Sequence, residues 1–258
     1  HGQPVGGQGW VAVQAGVLAG AVQDILLLDV TPLSLGIEVM GGVTSVLIPR
    51  NSTIPTSAHE TFTTYVDGQA SVDIHVVQGE RELAADNRSL AQFQFRGIEP
   101  LPAGIPRIEV KFLIDANGIL NVTAKDTKTG SVQSVEIKPS YGLTDEEVER
   151  MIRESFDFAE SDLTARFLIE ARTEAETVMR AAEKALAQGA DLIGEGEKKE
   201  IEETLVSMRD AVRGDDREFI QSRLARLNEA SLHLAEVLMD NTLKTAVKDR
   251  PMEEFLKE

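Results

Sequence analysis

The sequence predicts an α+β protein in which an all-β region precedes an all-α region, and three observations support this fold class. Short β-prone runs separated by turn signals occupy the chain from Thr31 to about Lys138. The segment Pro139-Ser140-Tyr141-Gly142 interrupts this pattern. From Thr144 onward the apolar residues recur at helical spacing. This order predicts an antiparallel β-sandwich followed by helices that end in a three-helix bundle.

The first strand is predicted from alternation that begins after Thr31-Pro32. Apolar residues at every second position face one side of a half-buried strand, and the residues between them face the other side. The apolar positions are Leu33, Leu35, Ile37 and Val39, and the alternate positions are Ser34, Gly36, Glu38 and Met40. Four apolar residues precede this strand between two aspartates, at Ile25, Leu26, Leu27 and Leu28. They are too few to span a membrane and predict an adhesive connector.

Seven further runs have the length and composition of strands. They are residues 45–48, 60–66, 70–79, 89–97, 107–115, 119–125 and 132–138. Asn117-Gly118 lies between two alternating runs, which is typical of a tight β-hairpin. Seven or eight strands at this spacing predict the antiparallel sandwich.

The helical half begins with the capping box Thr144-Asp145-Glu146-Glu147, which places a helix start at Thr144. Three apolar stripes with three- and four-residue spacing follow. Their members are Leu168, Ala171, Ala175, Val178, Ala182 and Ala185; then Ile201, Leu205, Met208 and Val212; then Ile220, Leu224, Leu227, Ser231, Leu234 and Leu238. Glycine-containing breaks at residues 189–196 and 214–216 separate the stripes, so we expect three amphipathic helices packed through these faces.

Composition and charge exclude several classes of function. The 258 residues are 42% hydrophobic, enough for one large core or two modest ones, and include no cysteine for disulfides or thiolate chemistry. Net charge is −17, with 29 acidic against 17 basic residues from Tyr141 onward and 14 against 9 before it. This excess argues against nucleic-acid binding and favours a solvated helical surface. Neither a signal peptide nor a membrane-spanning run is predicted.

The residues predict no catalytic centre, no metal site and no cofactor site in this chain. Four histidines are scattered, and Asp73 and His75, on one face of a predicted strand, are interpreted as a structural pair. No cluster has the spacing of metal ligands, and no glycine-rich phosphate loop occurs. We therefore expect that the chain is not an enzyme.

Apolar residues on separate strands are the better candidates for a functional site. Ile37, Phe62, Val72 and Ile74 are of this kind. Two explanations are open: the residues form the sandwich core, or they line a groove that accepts an apolar side chain of a partner. The residues alone favour the core.

Four motifs resemble the DnaK/HscA heat-shock chaperone family and occur in the family's order and spacing. They are Leu26-Leu27-Leu28-Asp29-Val30-Thr31-Pro32-Leu33-Ser34-Leu35-Gly36, Pro49-Arg50-Asn51-Ser52-Thr53-Ile54-Pro55, Ile74-His75-Val76-Val77-Gln78-Gly79-Glu80-Arg81, and Asp115-Ala116-Asn117-Gly118-Ile119-Leu120. The resemblance covers the chain from about Ala12 onward. Residues 101–106, 138–144 and 239–244 are more similar to the HscA branch, which serves the iron–sulfur cluster scaffold protein.

The resemblance implies four regions. Residues 1–11 are interpreted as a cloning remnant or a disordered arm, outside the fold. Residues 12–30 resemble the end of an ATPase domain followed by an interdomain linker, with Ile25, Leu26, Leu27, Leu28 and Asp29 as the linker. Residues 31–140 resemble a peptide-binding sandwich, and residues 141–258 resemble its helical lid.

The resemblance also implies a peptide-binding groove in the sandwich. The matching positions are Ile37, Val39, Met40, Phe62, Thr63, Tyr65, Val72, Ile74 and Ile108. Val72 corresponds to the floor of the groove, Ile108 to a wall, and Met40 and Tyr65 to the arch over the peptide. Tyr65 departs from the small residue common in the family. Loop N–H and C=O groups would bind the peptide main chain, and the pocket would select one apolar side chain.

The lid is expected to slow the escape of a bound peptide. Lid positions implied to contact the sandwich are Glu176, Val178 and Met179. Ala103 stands where the family has an arginine that pairs with a lid acid near the position of Glu176, so this latch is not predicted here.

The implied function is the substrate-binding fragment of an ATP-regulated, cytoplasmic chaperone, with ATP and magnesium confined to the absent ATPase domain. Implied partners are extended apolar peptides or unfolded clients, the ATPase domain in cis, a J-domain cochaperone and the iron–sulfur scaffold protein. Self-association is also expected, through insertion of the N-terminal arm between Trp10 and Asp29 into a neighbour's groove. The alternative is a structural protein that oligomerises through self-pairing helices and has no groove.

Overall fold

The computed structural model describes residues 29–248, in which eight strands precede four α-helices. The strands are β1 (Leu35–Val39), β2 (Val43–Ile48), β3 (Thr56–Phe62), β4 (Ser71–Gln78), β5 (Arg88–Arg96), β6 (Ile108–Ile114), β7 (Leu120–Asp126) and β8 (Val132–Ile137). The helices are α1 (Asp145–Asp157), α2 (Ala159–Gly189), α3 (Glu195–Ala211) and α4 (Arg217–Lys248). The predicted order of an all-β region followed by an all-α region is confirmed.

The strands form two four-stranded sheets, with the orders β2-β1-β4-β5 and β3-β6-β7-β8. In the second sheet β6 pairs antiparallel with both β3 and β7, and Ile108 lies opposite Phe62 on one side and Asp126 on the other. Buried and exposed residues alternate along β6 and β7. One face of this sheet therefore supplies sandwich core, as the period of two predicts.

Strand β3 differs from the sequence prediction, which placed a strand at residues 60–66. It begins at Thr56 and ends at Phe62. The backbone N–H groups of Tyr65 and Val66 both donate to Oε1 of Gln69, at 3.0 and 3.3 Å. Because a side chain satisfies these donors, residues 65 and 66 form a turn instead of continuing the sheet.

The predicted hairpin at Asn117-Gly118 is confirmed between β6 and β7. The Asp115 carboxylate accepts hydrogen bonds from the backbone N–H groups of Asn117 and Ile119, at 2.8 and 2.9 Å, and Gly118 has φ +73°. These bonds, led by that from Ile119, lower the pKa of Asp115. The turn thus uses the conformational freedom of glycine and the acceptor capacity of an aspartate.

The capping box is present at the start of α1. The N–H of Glu147 donates to Oγ1 of Thr144 at 3.3 Å, and the N–H of Thr144 donates to Oε2 of Glu147 at 3.1 Å. The apolar pattern did not predict the break between α1 and α2. Phe158 separates the two helices with φ −104° and ψ +3°, outside the helical range.

The apolar stripes of α2, α3 and α4 pack into one bundle core. Its buried members include Ala171, Ala175, Met179, Ala182, Ile201, Leu205, Met208, Ile220, Leu224, Leu227 and Leu234. A Cβ atom at Gly189 would lie 2.7 Å from Cδ2 of Leu238, so glycine permits α2 and α4 to approach closely there. The predicted three-helix bundle is confirmed, and its α2 face is built from small residues.

Backbone contacts divide the chain into two compact units. Among the described residues, one contains residues 29–35 together with Val46–Ile74 and Leu90–Val148. The other contains Gly36–Ser45, His75–Ser89 and residues 149–248. Two segments of the strand region therefore belong to the same unit as α2, α3 and α4. Among residues 29–248 no helix is both long enough and apolar enough to cross a membrane.

Candidate peptide-binding site

The groove residues predicted on β1 and just after it differ in exposure. Ile37 is buried, Val39 is half-buried, and Met40 is 43% exposed at the start of a 3-10 turn, Met40–Gly42. We call Met40–Gly42 the arch turn. The exposed side chain of Met40 is accessible to a partner, and the buried side chain of Ile37 is not.

The groove residues predicted in the other unit also include buried and accessible members. Ile74 and Ile108 are buried, Phe62 and Val72 are half-buried, and Thr63 is exposed. Tyr65 is half-buried and lies in the turn that Gln69 closes. The burial of Ile74 and Ile108 fits the core interpretation, and the accessibility of Phe62 and Val72 fits a groove. The roles of these residues remain predictions.

Helix α2 packs directly on the arch turn. Gly41 has φ +83°, and a Cβ atom at this position would lie 2.3 Å from Cγ2 of Ile169 and 3.3 Å from Oγ1 of Thr173. A side chain at residue 41 is therefore excluded by backbone conformation and by the helix. This contact fixes the distance between the arch turn and α2.

A second contact joins α2 to residues 79–87, which we call the anchor loop. Nε and Nη2 of Arg81 donate to Oδ2 and Oδ1 of Asp162 at 2.5 and 2.8 Å. Side-chain exposure is only 13% for Arg81 and 8% for Asp162. The hydrogen bond from Arg81 lowers the pKa of Asp162, and the same bond raises the pKa of Arg81. A bidentate, largely desolvated pair of this kind orients both of its members.

A third contact lies one helical turn further along α2. Nη1 of Arg166 donates to Oε2 of Glu82 at 2.6 Å, and its Nε donates to Oε1 of Glu170 at 2.8 Å. These two hydrogen bonds, with that to Glu82 the stronger, raise the pKa of Arg166. The pair with Glu82 is about one-third exposed, so it contributes less than the Arg81–Asp162 pair.

Asn87 gives the anchor loop its shape. Its Nδ2 donates to the carbonyls of Arg81 and Leu83 at 2.7 and 3.2 Å and to Oγ1 of Thr44 at 3.0 Å. Its Oδ1 accepts from the N–H of Arg81 at 3.0 Å. The guanidinium of Arg81 also lies 4.3 Å from the ring centroid of Phe158. Asn87 thus holds the backbone of Arg81 within the loop, and the ring of Phe158, at the start of α2, packs on its guanidinium.

The predicted pairing of His75 with Asp73 is replaced by other partners. Nδ1 of His75 lies 2.6 Å from Oε2 of Glu38, and its Nε2 lies 2.8 Å from Oγ of Ser89. The histidine therefore bridges residues of β1 and β5 from its position on β4. This arrangement agrees with the structural role that the sequence indicated.

The three predicted lid-contact residues have different environments. Met179 belongs to the bundle core, Val178 packs against that core, and Glu176 is exposed. The N–H of Ala103, the residue at the expected latch-arginine position, donates to Oδ1 of Asp67 at 2.8 Å. The contacts of α2 with the arch turn and anchor loop involve other residues, which the sequence reasoning missed.

The predicted linker residues Ile25, Leu26, Leu27 and Leu28 lie outside the described residues. Asp29, the last predicted linker residue, is described and exposed. Its carbonyl accepts a hydrogen bond from the N–H of Ile54 at 2.9 Å. The chain is therefore attached to the strand region from this residue onward.

A cavity of about 230 Å³ lies between α3 and α4. Its lining is polar and includes Glu200, Glu203, Arg223 and Arg226. Such a lining does not suit an apolar side chain, so we do not assign the peptide to this cavity. Across residues 29–248 no group of three or more histidine, cysteine, aspartate or glutamate side chains is arranged to hold a metal ion.

Comparison with known proteins gives two findings. The family model described as Hsp70 protein matches residues 8–240. Over 247 residues the chain is 45% identical to the chaperone protein HscA homolog of Cupriavidus necator. This alignment covers 95% of the chain but 40% of that protein, so the chain spans about two fifths of the relative's length.

Proposed function

Because the chain belongs to the Hsp70 protein family, we propose that it is the substrate-binding part of an ATP-regulated chaperone. It holds extended apolar peptide segments in a groove of the sandwich, and the helices from Asp145 onward act as the lid. The groove residues are those proposed from the sequence, with Val72 at the floor and Met40 and Tyr65 over the peptide. Loop backbone groups bind the peptide main chain, and the pocket accepts one apolar side chain.

The observation that carries this proposal is the contact of α2 with two loops of the strand region. The helix touches the arch turn through Ile169 and binds the anchor loop through Asp162 and Arg166. A peptide beneath the arch turn could leave only after these contacts loosen. The lid would therefore set affinity mainly through the dissociation rate.

The narrower assignment is a chaperone of the HscA branch, supported by the name and 45% identity of the Cupriavidus necator relative. On this proposal the clients include the iron–sulfur cluster scaffold protein, and a J-domain cochaperone is a partner. The fragment does not hydrolyse ATP, because ATP and magnesium bind the ATPase domain that acts in cis. The residues before Asp29 provide the linker to that domain, and the chaperone works in the cytoplasm.

A fluorescent peptide with an extended apolar centre tests this function. We expect saturable binding by fluorescence anisotropy, competition by the unlabelled peptide, and no competition by a matched peptide with serine in place of the apolar residues. Concentration-dependent assembly without peptide binding would instead support the oligomerising protein. Light scattering with and without excess peptide separates the two, and assembly that the peptide dissolves would support self-association through the N-terminal arm.

A further inference from the structure

Helix α2 uses opposite faces for two sets of contacts, one along residues 162–173 and the other along residues 171–182. Asp162, Arg166, Ile169 and Thr173 follow one another at spacings of four, three and four residues, so they share one face of the helix. All four contact the arch turn or the anchor loop. The opposite face is part of the bundle core, with the following buried residues: Ala171, Ala175, Met179 and Ala182. The helix is thus the element that connects these loops with the bundle.

The connection between α3 and α4 is fastened to this stretch of α2. Nη2 of Arg172 donates to the carbonyl of Gly214 at 2.8 Å and to Oδ1 of Asp215 at 2.6 Å. The guanidinium of Arg217 lies 4.6 Å from the ring centroid of Phe167. We call these five residues the clamp. On α2 the clamp residues are Phe167 and Arg172. They lie between Arg166, which contacts the anchor loop, and Thr173, which contacts the arch turn.

We propose that Arg172 is a positioning residue for peptide retention, because it ties the α3–α4 connection to the part of α2 that covers the arch turn. This inference rests on the proposed peptide-binding function. The hydrogen bonds of Arg172 go to Gly214 and Asp215, which belong to neither the arch turn nor the anchor loop. It acts by keeping α2 regular and in place where Ile169 meets Gly41, so that bundle and lid base move together.

The hydrogen bond to the Gly214 carbonyl matters more than the ion pair with Asp215. Asp215 is 89% exposed, and an exposed pair contributes little because water and salt screen it. The bond to Gly214 joins a charged donor to a main-chain acceptor, so it holds the backbone of the α3–α4 connection itself. Nε of Arg172 is buried and has no hydrogen-bond partner in the described part of the chain. An arginine here therefore carries a desolvation cost that an apolar residue would avoid.

Arg172→Met tests the inference in the full chain, since methionine keeps much of the side-chain packing but cannot bind the Gly214 carbonyl. Arg172→Lys serves as the conservative rescue. Arg209→Met is the matched control, because Arg209 of α3 pairs with Glu183 of α2 at 2.5 Å, away from the arch turn, and both side chains are about half exposed. Measured quantities are the association and dissociation rates of the fluorescent peptide, the melting temperature, and backbone hydrogen exchange of residues 166–173.

Arg172→Met should release peptide about threefold to tenfold faster with an unchanged association rate, while Arg209→Met releases it at the wild-type rate. Hydrogen exchange at residues 166–173 should rise only in Arg172→Met, and Arg172→Lys should restore part of both effects. Equal release rates for Arg172→Met and wild type would overturn the inference, as would equal acceleration by Arg209→Met. Failure of wild type to bind peptide would refute the proposed function, whereas unchanged exchange at residues 166–173 would refute the clamp separately.

Discussion

The guanidinium of Arg81 and the carboxylate of Asp162 form a two-point hydrogen-bonded pair across 81 residues of sequence. Both side chains are largely shielded from water. Removing one partner would leave the other charge desolvated and unpaired, which costs more than the loss of an exposed ion pair. This pair should therefore dominate the attachment of α2 to the anchor loop.

Asp162→Asn should weaken this attachment without changing side-chain size. Arg81 would lose the charge of its partner and keep at most one acceptor, a loss of about 1.5–3 kcal/mol for a hydrogen bond to a charged group. We expect the fluorescent peptide to dissociate about tenfold faster or more. Asp210→Asn is the control, because Asp210 forms an exposed pair with Arg213 at 3.4 Å. Similar dissociation rates for the two variants would contradict the dominant role of Arg81–Asp162.

Lowering the pH should weaken the attachment of α2 to the anchor loop. The folded-state pKa of Asp162 lies below its ordinary value because Arg81 donates to its ionised form. Its contribution is therefore complete above the unfolded-state pKa of about 3.9 and is lost as the pH falls through the folded-state pKa. The difference in unfolding free energy between wild type and Asp162→Asn, measured with urea, should stay constant from pH 7 to about 5. It should shrink below about pH 4, and a difference that vanishes by pH 6 would exclude this linkage.

Gly41→Ala should displace α2 from the arch turn. The substitution has two costs: the strain of φ +83° for a residue with a side chain, and overlap with Ile169. Gly104→Ala isolates the first cost, because Gly104 has φ +80° and no atom within 4 Å of an added Cβ. We expect Gly41→Ala to lower the unfolding free energy by about 1–3 kcal/mol more than Gly104→Ala. Adding Ile169→Ala to Gly41→Ala should recover part of that difference, and no recovery would show that Ile169 is not the obstacle.

Val72→Phe tests the proposed groove floor. A larger side chain in an accessible groove would block the peptide and leave the fold intact, because Val72 is only half-buried. Val122→Phe is the comparison, since Val122 is completely buried in β7 and overpacking a core costs about 1–3 kcal/mol. We expect Val72→Phe to abolish peptide binding at a nearly unchanged melting temperature. A large fall in melting temperature with normal binding would place Val72 in the core instead.

The sequence predicted the elements well because their signals are local. The capping box at Thr144 and the Asn117-Gly118 hairpin depend on neighbouring residues, and both are present. The end of β3 at Phe62 was missed because it depends on Gln69, whose side chain accepts hydrogen bonds from the backbone N–H groups of Tyr65 and Val66. The break at Phe158 was missed because apolar periodicity continues on both sides of it.

The contacts of α2 with the two loops could not be predicted in the same way. Arg81 and Asp162 are separated by the whole of β5 to β8 and α1. Only the spacing of Asp162, Arg166, Ile169 and Thr173 gave a local signal, and it resembles an ordinary mixed surface stripe. The resemblance gave the family's latch at the positions of Ala103 and Glu176, where alanine replaces the arginine, and it gave no other pair between lid and sandwich. Pairs between residues this far apart in the sequence can be recognised only once the fold is known.

Segments of the two compact units alternate along the sequence, and this order has a consequence for synthesis on the ribosome. Arg81 and Glu82 leave the ribosome before Asp162 and Arg166, which follow them by 81 and 84 residues. At about 5–20 residues per second, the anchor loop waits about 4–16 seconds for its helix. During that interval the arch turn is uncovered, and the nascent chain itself supplies extended apolar segments nearby. A ribosome that pauses before residue 162 would lengthen the interval in which the arch turn and the anchor loop lack their contacts with α2.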